Sequence, residues 1–227
     1  MSLPRVDVIS IGCLSRNLLW GEQQHVRTPH ATTTLIRSGK RNILIDPGLP
    51  GPIIAARLYE RTGLKPGEID TVFLTNFRPS HRAGIAAFAS AKIFIHELER
   101  ETIRPQLEQM RDAMGAESED AQVIIKELAI LDSLDTAPDK IAMGIDIFPL
   151  PGFTPGTCGL LVSLPSTTIL IAGDAVPTQE HFLATQVLPE SFDIQLAGES
   201  MREVYEIADL IIPGHDNLFM NPRTQGM

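Results

Sequence analysis

The chain has 227 residues, enough for one sizeable α/β domain, and its 43% hydrophobic content supplies a full core. A net charge of −9 without any dense Lys/Arg run argues against a nucleic-acid ligand. Two cysteines, Cys13 and Cys158, form neither a disulfide framework nor a CxxC pair. No apolar run reaches the roughly 18 residues that span a bilayer, and no signal pattern opens the chain, so no membrane partner and a cytoplasmic location are expected.

Taken in order, Arg5–Cys13 alternates as a strand does, and a polar loop with His25 and His30 follows. Residues 32–37 and 42–46 are β-branched runs joined through Ser38-Gly-Lys40, a hairpin signal. Residues 53–61 have helical spacing, and Thr71–Thr75 is a short buried strand. Lys92–Ile95 predicts another strand, and Glu97–Met114 an exposed helix that Pro105 breaks. Between Ala116 and Lys140 the pattern is weak, with a strand expected near Ala121–Leu128. Residues 145–150, 160–164 and 168–172 predict three strands, 191–208 a helix and 210–212 a last strand. Pattern alone reaches no further than α/β or α+β.

Five short contexts carry more. They are Asp46-Pro-Gly48, then Thr75-Asn-Phe-Arg-Pro-Ser-His81-Arg-Ala-Gly84, Pro151-Gly-Phe-Thr-Pro-Gly156, Gly173-Asp174 and Pro213-Gly-His215. In kind and order they resemble the metallo-β-lactamase superfamily, over nearly the whole chain. The resemblance implies an α+β fold, a four-layer αβ/βα sandwich, as a single domain over 1–227. It also places a site at these loops.

The family's Thr-His-x-His-x-Asp-His loop has become Asn76, Arg78, Ser80 and His81, and Phe153 stands where another ligand histidine belongs. The resemblance implies that the first of two metals has lost its nitrogen ligands. Asn76 offers a neutral amide, Phe153 offers nothing, and Arg78 is cationic at any working pH. For the second metal His81, Asp174 and His215 survive, a donor set for one zinc, iron or manganese ion at most. These three are also the catalytic candidates. Asp46, Asp216 and His181 are expected to support them, while His25 and His30 read as exposed loop histidines and His96 and Cys158 as structural.

If no metal binds, Asp174 needs a cation at the end of its apolar strand, and Arg78 is the expected counter-charge. Two functions follow. The first is a non-hydrolytic module, a hydrolase fold whose emptied cleft, lined by Arg78, Asn76, His81 and His215 with Ser80 and Phe153, takes a small and anionic ligand. The alternative is a single-metal hydrolase of an ester, thioester, lactone or phosphoester. A homo-oligomeric scaffold is a third reading.

Overall fold

The computed structural model describes residues 3–114 and 118–226, so the start of the weakly patterned segment, at 116–117, lies outside them. The chain opens with β1 (Arg5–Ser10), a loop with one 3-10 turn at Leu18–Trp20, and the hairpin β2 (Thr33–Ser38) and β3 (Arg41–Ile45). Helix α1 (Gly51–Thr62) returns it to β4 (Thr71–Leu74). The single turn α2 (Pro79–Arg82) precedes β5 (Lys92–Ile95), α3 (Glu97–Met114), α4 (Glu119–Asp132) and the short β6 (Asp135–Thr136). The second half runs β7 (Lys140–Ala142), β8 (Ile145–Pro149), β9 (Cys158–Leu164) and β10 (Thr167–Gly173). It then continues through α5 (Gln179–Ala184), α6 (Ile194–Ile207), β11 (Leu210–Pro213) and β12 (Phe219–Met220).

Two six-stranded sheets result, ordered β1-β2-β3-β4-β5-β6 and β12-β11-β10-β9-β8-β7. In the first, β3 to β6 pair in parallel, so each crossover puts a helix on one face. That helical face is packed by Ile54 and Leu58 of α1 and Leu131 of α4 against Leu35, Leu44, Val72 and Leu74. The opposite face meets the second sheet, where Ile36, Ile43, Ile45 and Phe73 pack with Leu160, Val162, Ile171 and Ile212. Beyond the second sheet, Phe182 of α5 and Met201 and Val204 of α6 cover Leu170, Ala172 and Ile211. Helices, sheet, sheet and helices give the expected four-layer sandwich. No helix among the described residues is long and apolar enough to cross a membrane.

Two expectations fail in the middle of the chain. Residues 121–128 belong to α4, not to a strand: Val123-Ile124-Ile125 reads as a β-branched run, but the buried positions Ala121, Ile124, Leu128 and Leu131 follow the helical period. Helix α3 runs unbroken through Pro105. Proline removes one backbone donor, and packing of Ile103 and Leu107 against the first core holds the helix across that gap.

Candidate metal centre

The site forms where strand ends from both sheets meet. At the end of β3, Asp46 takes a left-handed backbone (φ 49°), which aspartate tolerates better than most residues. Its carboxylate turns back onto the end of β4, accepting Thr75 N–H at 2.9 Å and the Thr75 hydroxyl at 2.7 Å. The same Asp46 Oδ2 lies 3.0 Å from His81 Nδ1. His81 comes from α2 and is fully buried. Its other nitrogen, Nε2, lies 2.8 Å from Oδ2 of Asp174, at the end of β10. Asn76 Nδ2 donates to that same oxygen at 3.0 Å.

His215 arrives from the loop after β11. Gly214 before it has no alternative, because a Cβ there would lie 2.6 Å from Asp174 Oδ1. Nδ1 of His215 donates to the His30 carbonyl at 3.0 Å, an oxygen that only accepts. Nε2 lies 2.9 Å from Asp174 Oδ1, an ion pair when the ring is protonated and a contact of two lone pairs when it is neutral, and that oxygen is buried without a hydrogen bond.

Electrostatics follow from this chain of groups. Burial works against a charged His81, but the Asp174 and Asp46 carboxylates outweigh it and raise its pKa to about 10. Burial likewise works against the Asp174 carboxylate, and the charge of His81 outweighs it, holding Asp174 well below the usual carboxylate range.

The donor set fits one metal ion. Nitrogens of His81 and His215 and an oxygen of Asp174 all lie within 4.8 Å of one another. Each histidine also has its Nδ1 on an acceptor, Asp46 for one and the His30 carbonyl for the other. That arrangement fixes the tautomer of a metal-ligating histidine. Asp174 Oδ1, buried without a hydrogen bond, is an oxygen free to ligate.

Other predicted residues go elsewhere. Arg78 is not the counter-charge of Asp174: it is exposed, its guanidinium stacks 5.0 Å from the Phe153 ring centre, and among the described residues it forms no ion pair. Arg78 is the extended residue just before α2, and His81 itself takes the place beside Asp174. The single cleft expected from Arg78, Asn76, His81 and His215 does not form, because Asn76 and His81 are wholly buried. Instead a cavity of about 370 Å³ reaches His215, and a separate one of about 390 Å³ is lined by Arg78, Phe153 and Phe192.

Ser80 is half-buried and contributes its carbonyl to Ala31 N–H. Asp216 caps a loop, accepting Gln179 and Asn217 N–H, and does not reach a ring nitrogen of His215. His181 is buried, with Nδ1 on the Thr178 hydroxyl, and stands outside the three-residue donor group. His25 is exposed on Ser15, while His96 is half-buried. Burial raises the Cys158 thiol to about 12, in keeping with a small core residue.

Two participants had no signal in the sequence: the His30 carbonyl and Glu99. Glu99 heads α3 fully buried, accepting Phe77 N–H, the Thr154 hydroxyl and Gly156 N–H, and so ties the His81 loop to the turn at 151–156. A residue in a polar helix start gives no hint of that.

With the site described, likeness to known proteins can be placed. The model of the metallo-beta-lactamase superfamily matches residues 27–215. Among curated proteins, no sequence matches the chain. Solved structures match in fold. AidC, a dizinc quorum-quenching lactonase in complex with a product, is 18% identical with a TM-score of 0.68, over 84% of this chain and 74% of that one. The hydrolase AbOPH is 16% identical, TM-score 0.64, over 97% and 91%. A B. thuringiensis AiiA mutant with N-decanoyl-L-homoserine at its active site is 19% identical, TM-score 0.60, over 91% and 89%.

Proposed function

The chain belongs to the metallo-beta-lactamase superfamily, and on that premise we propose that it is a hydrolase using one divalent metal held by His81, Asp174 and His215. The observation that carries this reading is the buried donor group itself: ring nitrogens of His81 and His215 and a carboxylate oxygen of Asp174 within 4.8 Å of one another, with Asp174 Oδ1 left without a hydrogen bond. A bound ion would supply Lewis-acid polarisation of a carbonyl or phosphoryl oxygen. The chain's own residues do the rest. Asp46 and the His30 carbonyl orient the two imidazoles. Asn76 pins the Asp174 carboxylate through a hydrogen bond to Oδ2 at 3.0 Å.

A substrate would reach His215 through the cavity lined by residues of the β1–β2 loop and by Gln179 and Glu180 of α5. The substrate class is a small ester, thioester, lactone or phosphoester, and the lactonases of like fold make a lactone the first to try. Zinc-, iron- and manganese-loaded protein is to be assayed against one compound of each class. Turnover that a chelator abolishes and metal restores is expected; absence of turnover across the panel with metal bound would overturn the hydrolase reading.

A second reading has its own observation. His81 between two carboxylates supplies positive charge without any metal. On that reading the fold is a non-hydrolytic binding module, and the cavity under Arg78 and Phe153 takes a small carboxylate-bearing ligand. Stripped protein that binds such ligands, with binding lost in Arg78→Ala and no metal retained, is its signature.

A further inference from the structure

The second cavity, of about 390 Å³, is lined by none of the three donor residues and combines an apolar wall with two opposite charges. The apolar wall comes from Phe77, Phe153 and Phe192, with Ile103 of α3. The positive charge is Arg78, which is positioned rather than loose. Its N–H donates to Asn76 Oδ1 at 2.9 Å, and its guanidinium carbon lies 5.0 Å from the centre of the buried Phe153 ring. Among the described residues that guanidinium has no hydrogen bond and no ion pair, so its donors are free.

The negative charge is Glu190, in a turn closed by Ser191, whose N–H and hydroxyl reach the Leu188 carbonyl at 3.1 and 2.6 Å. The next two residues, Phe192 and Asp193, donate their N–H groups to the carbonyls of Phe153 and Gly152, each at 3.0 Å. The segment that carries the carboxylate is thereby fastened to the turn that carries the stacking partner of Arg78. Glu190 is exposed and, among the described residues, has no hydrogen bond and no ion pair. The cavity's other carboxylate, Glu99, is already occupied by Phe77 N–H, the Thr154 hydroxyl and Gly156 N–H.

A free guanidinium and a free carboxylate thus line one cavity without pairing with each other. Either alone is an ordinary surface charge. Held on pinned segments beside three phenylalanine rings, the two match a ligand that has both charges close together and an apolar remainder. We propose that this cavity binds a free α-amino acid with an aromatic or large apolar side chain. The ligand carboxylate pairs with Arg78 in the two-pronged geometry that a guanidinium favours, and its ammonium group pairs with Glu190. Its side chain lies against Phe153 and Phe192, and covers the Phe192 ring, a residue otherwise 71% exposed. The inference rests on the binding-module reading for a carboxylate at Arg78, and adds to it the ammonium group and the apolar side chain.

The test is isothermal titration calorimetry of the metal-stripped full chain, so that no bound ion chelates the ligand's amino and carboxylate groups. The probes are L-phenylalanine, N-acetyl-L-phenylalanine, L-phenylalaninamide and L-alanine. L-phenylalanine is expected to bind, and each of the other three to bind about 10-fold or more weakly. The penalty for acetylation should vanish in Glu190→Gln, and the penalty for amidation in Arg78→Gln. Both variants change exposed side chains, and the comparison of ligands on the unaltered chain needs no variant to fold. N-acetyl-L-phenylalanine binding as tightly as L-phenylalanine, or L-alanine doing so, would overturn the amino-acid proposal and leave a carboxylate-binding module standing. L-phenylalaninamide binding as tightly, or no binding of any probe at millimolar concentration, would overturn both.

Discussion

At the scale of single residues, the site turns on how charge is shared along Asp46, His81, Asp174 and His215. In metal-free protein the two carboxylates hold a proton on His81 up to a pKa of about 10, against about 6.5 in an unfolded chain. A raised folded pKa means that His81 stabilises fully below pH ~6.5 and loses that contribution as pH climbs toward 10. Asp174 is shifted the other way, so its contribution is present above its unfolded pKa, near 4, and lost as pH falls. The melting temperature of chelator-treated protein, taken relative to His81→Gln, should therefore hold steady from about pH 5 to 6.5 and decline from there to 10. A flat or rising difference over the upper range would remove His81 as the internal cation. These four residues were legible from the sequence because their loops keep the family's Gly and Pro framework. The His30 carbonyl was not, since a backbone acceptor is chosen by tertiary approach. Arg78 misled for a related reason: charge type can be read from a letter, but the direction an extended residue ahead of a one-turn helix takes cannot.

At the scale of elements, the loops that carry the ligands are held by the head of α3. Glu99 gathers three donors from two separate loops in a place closed to water. Burial, the largest influence on it, raises its pKa, so its fit depends on those donors being present. Glu99→Ala would leave Phe77 N–H, Gly156 N–H and the Thr154 hydroxyl to find other partners, at roughly 1–3 kcal/mol for each left unpaired. A fall in unfolding free energy of about 3 kcal/mol is expected from urea titration; a change under about 0.5 kcal/mol would show that α3 does not brace the site. Gly156 records the same closeness, since a Cβ there would lie 2.0 Å from Glu99 N. Helix α3 itself was legible, but its brace was not: a glutamate in a helix with a polar face normally faces solvent. The strand expected at 121–128 failed because three consecutive β-branched and apolar residues outweigh, in a short window, a helical period that only the longer span from Ala121 to Leu131 displays.

At the scale of the molecule, the two sheets bring Asp46 and His81 from one half against Asp174 and His215 from the other. The fold was readable because turn residues and buried strands, rather than ligand atoms, define it. With Asn76, Arg78, Ser80 and Phe153 at the ligand positions that backbone plan is intact, and two separate cavities, one reaching His215 and one lined by Arg78 and Phe153, stand in place of the expected cleft. The His81, Asp174 and His215 group is proposed to hold one metal. The most direct measurement is the metal content of purified protein after loading with zinc, iron or manganese and exhaustive dialysis, read by plasma mass spectrometry. About one ion per chain, falling to background in folded His215→Ala, is the predicted result. Background levels in the wild-type protein under all three metals would contradict it and leave His81 as the cation of a metal-free site.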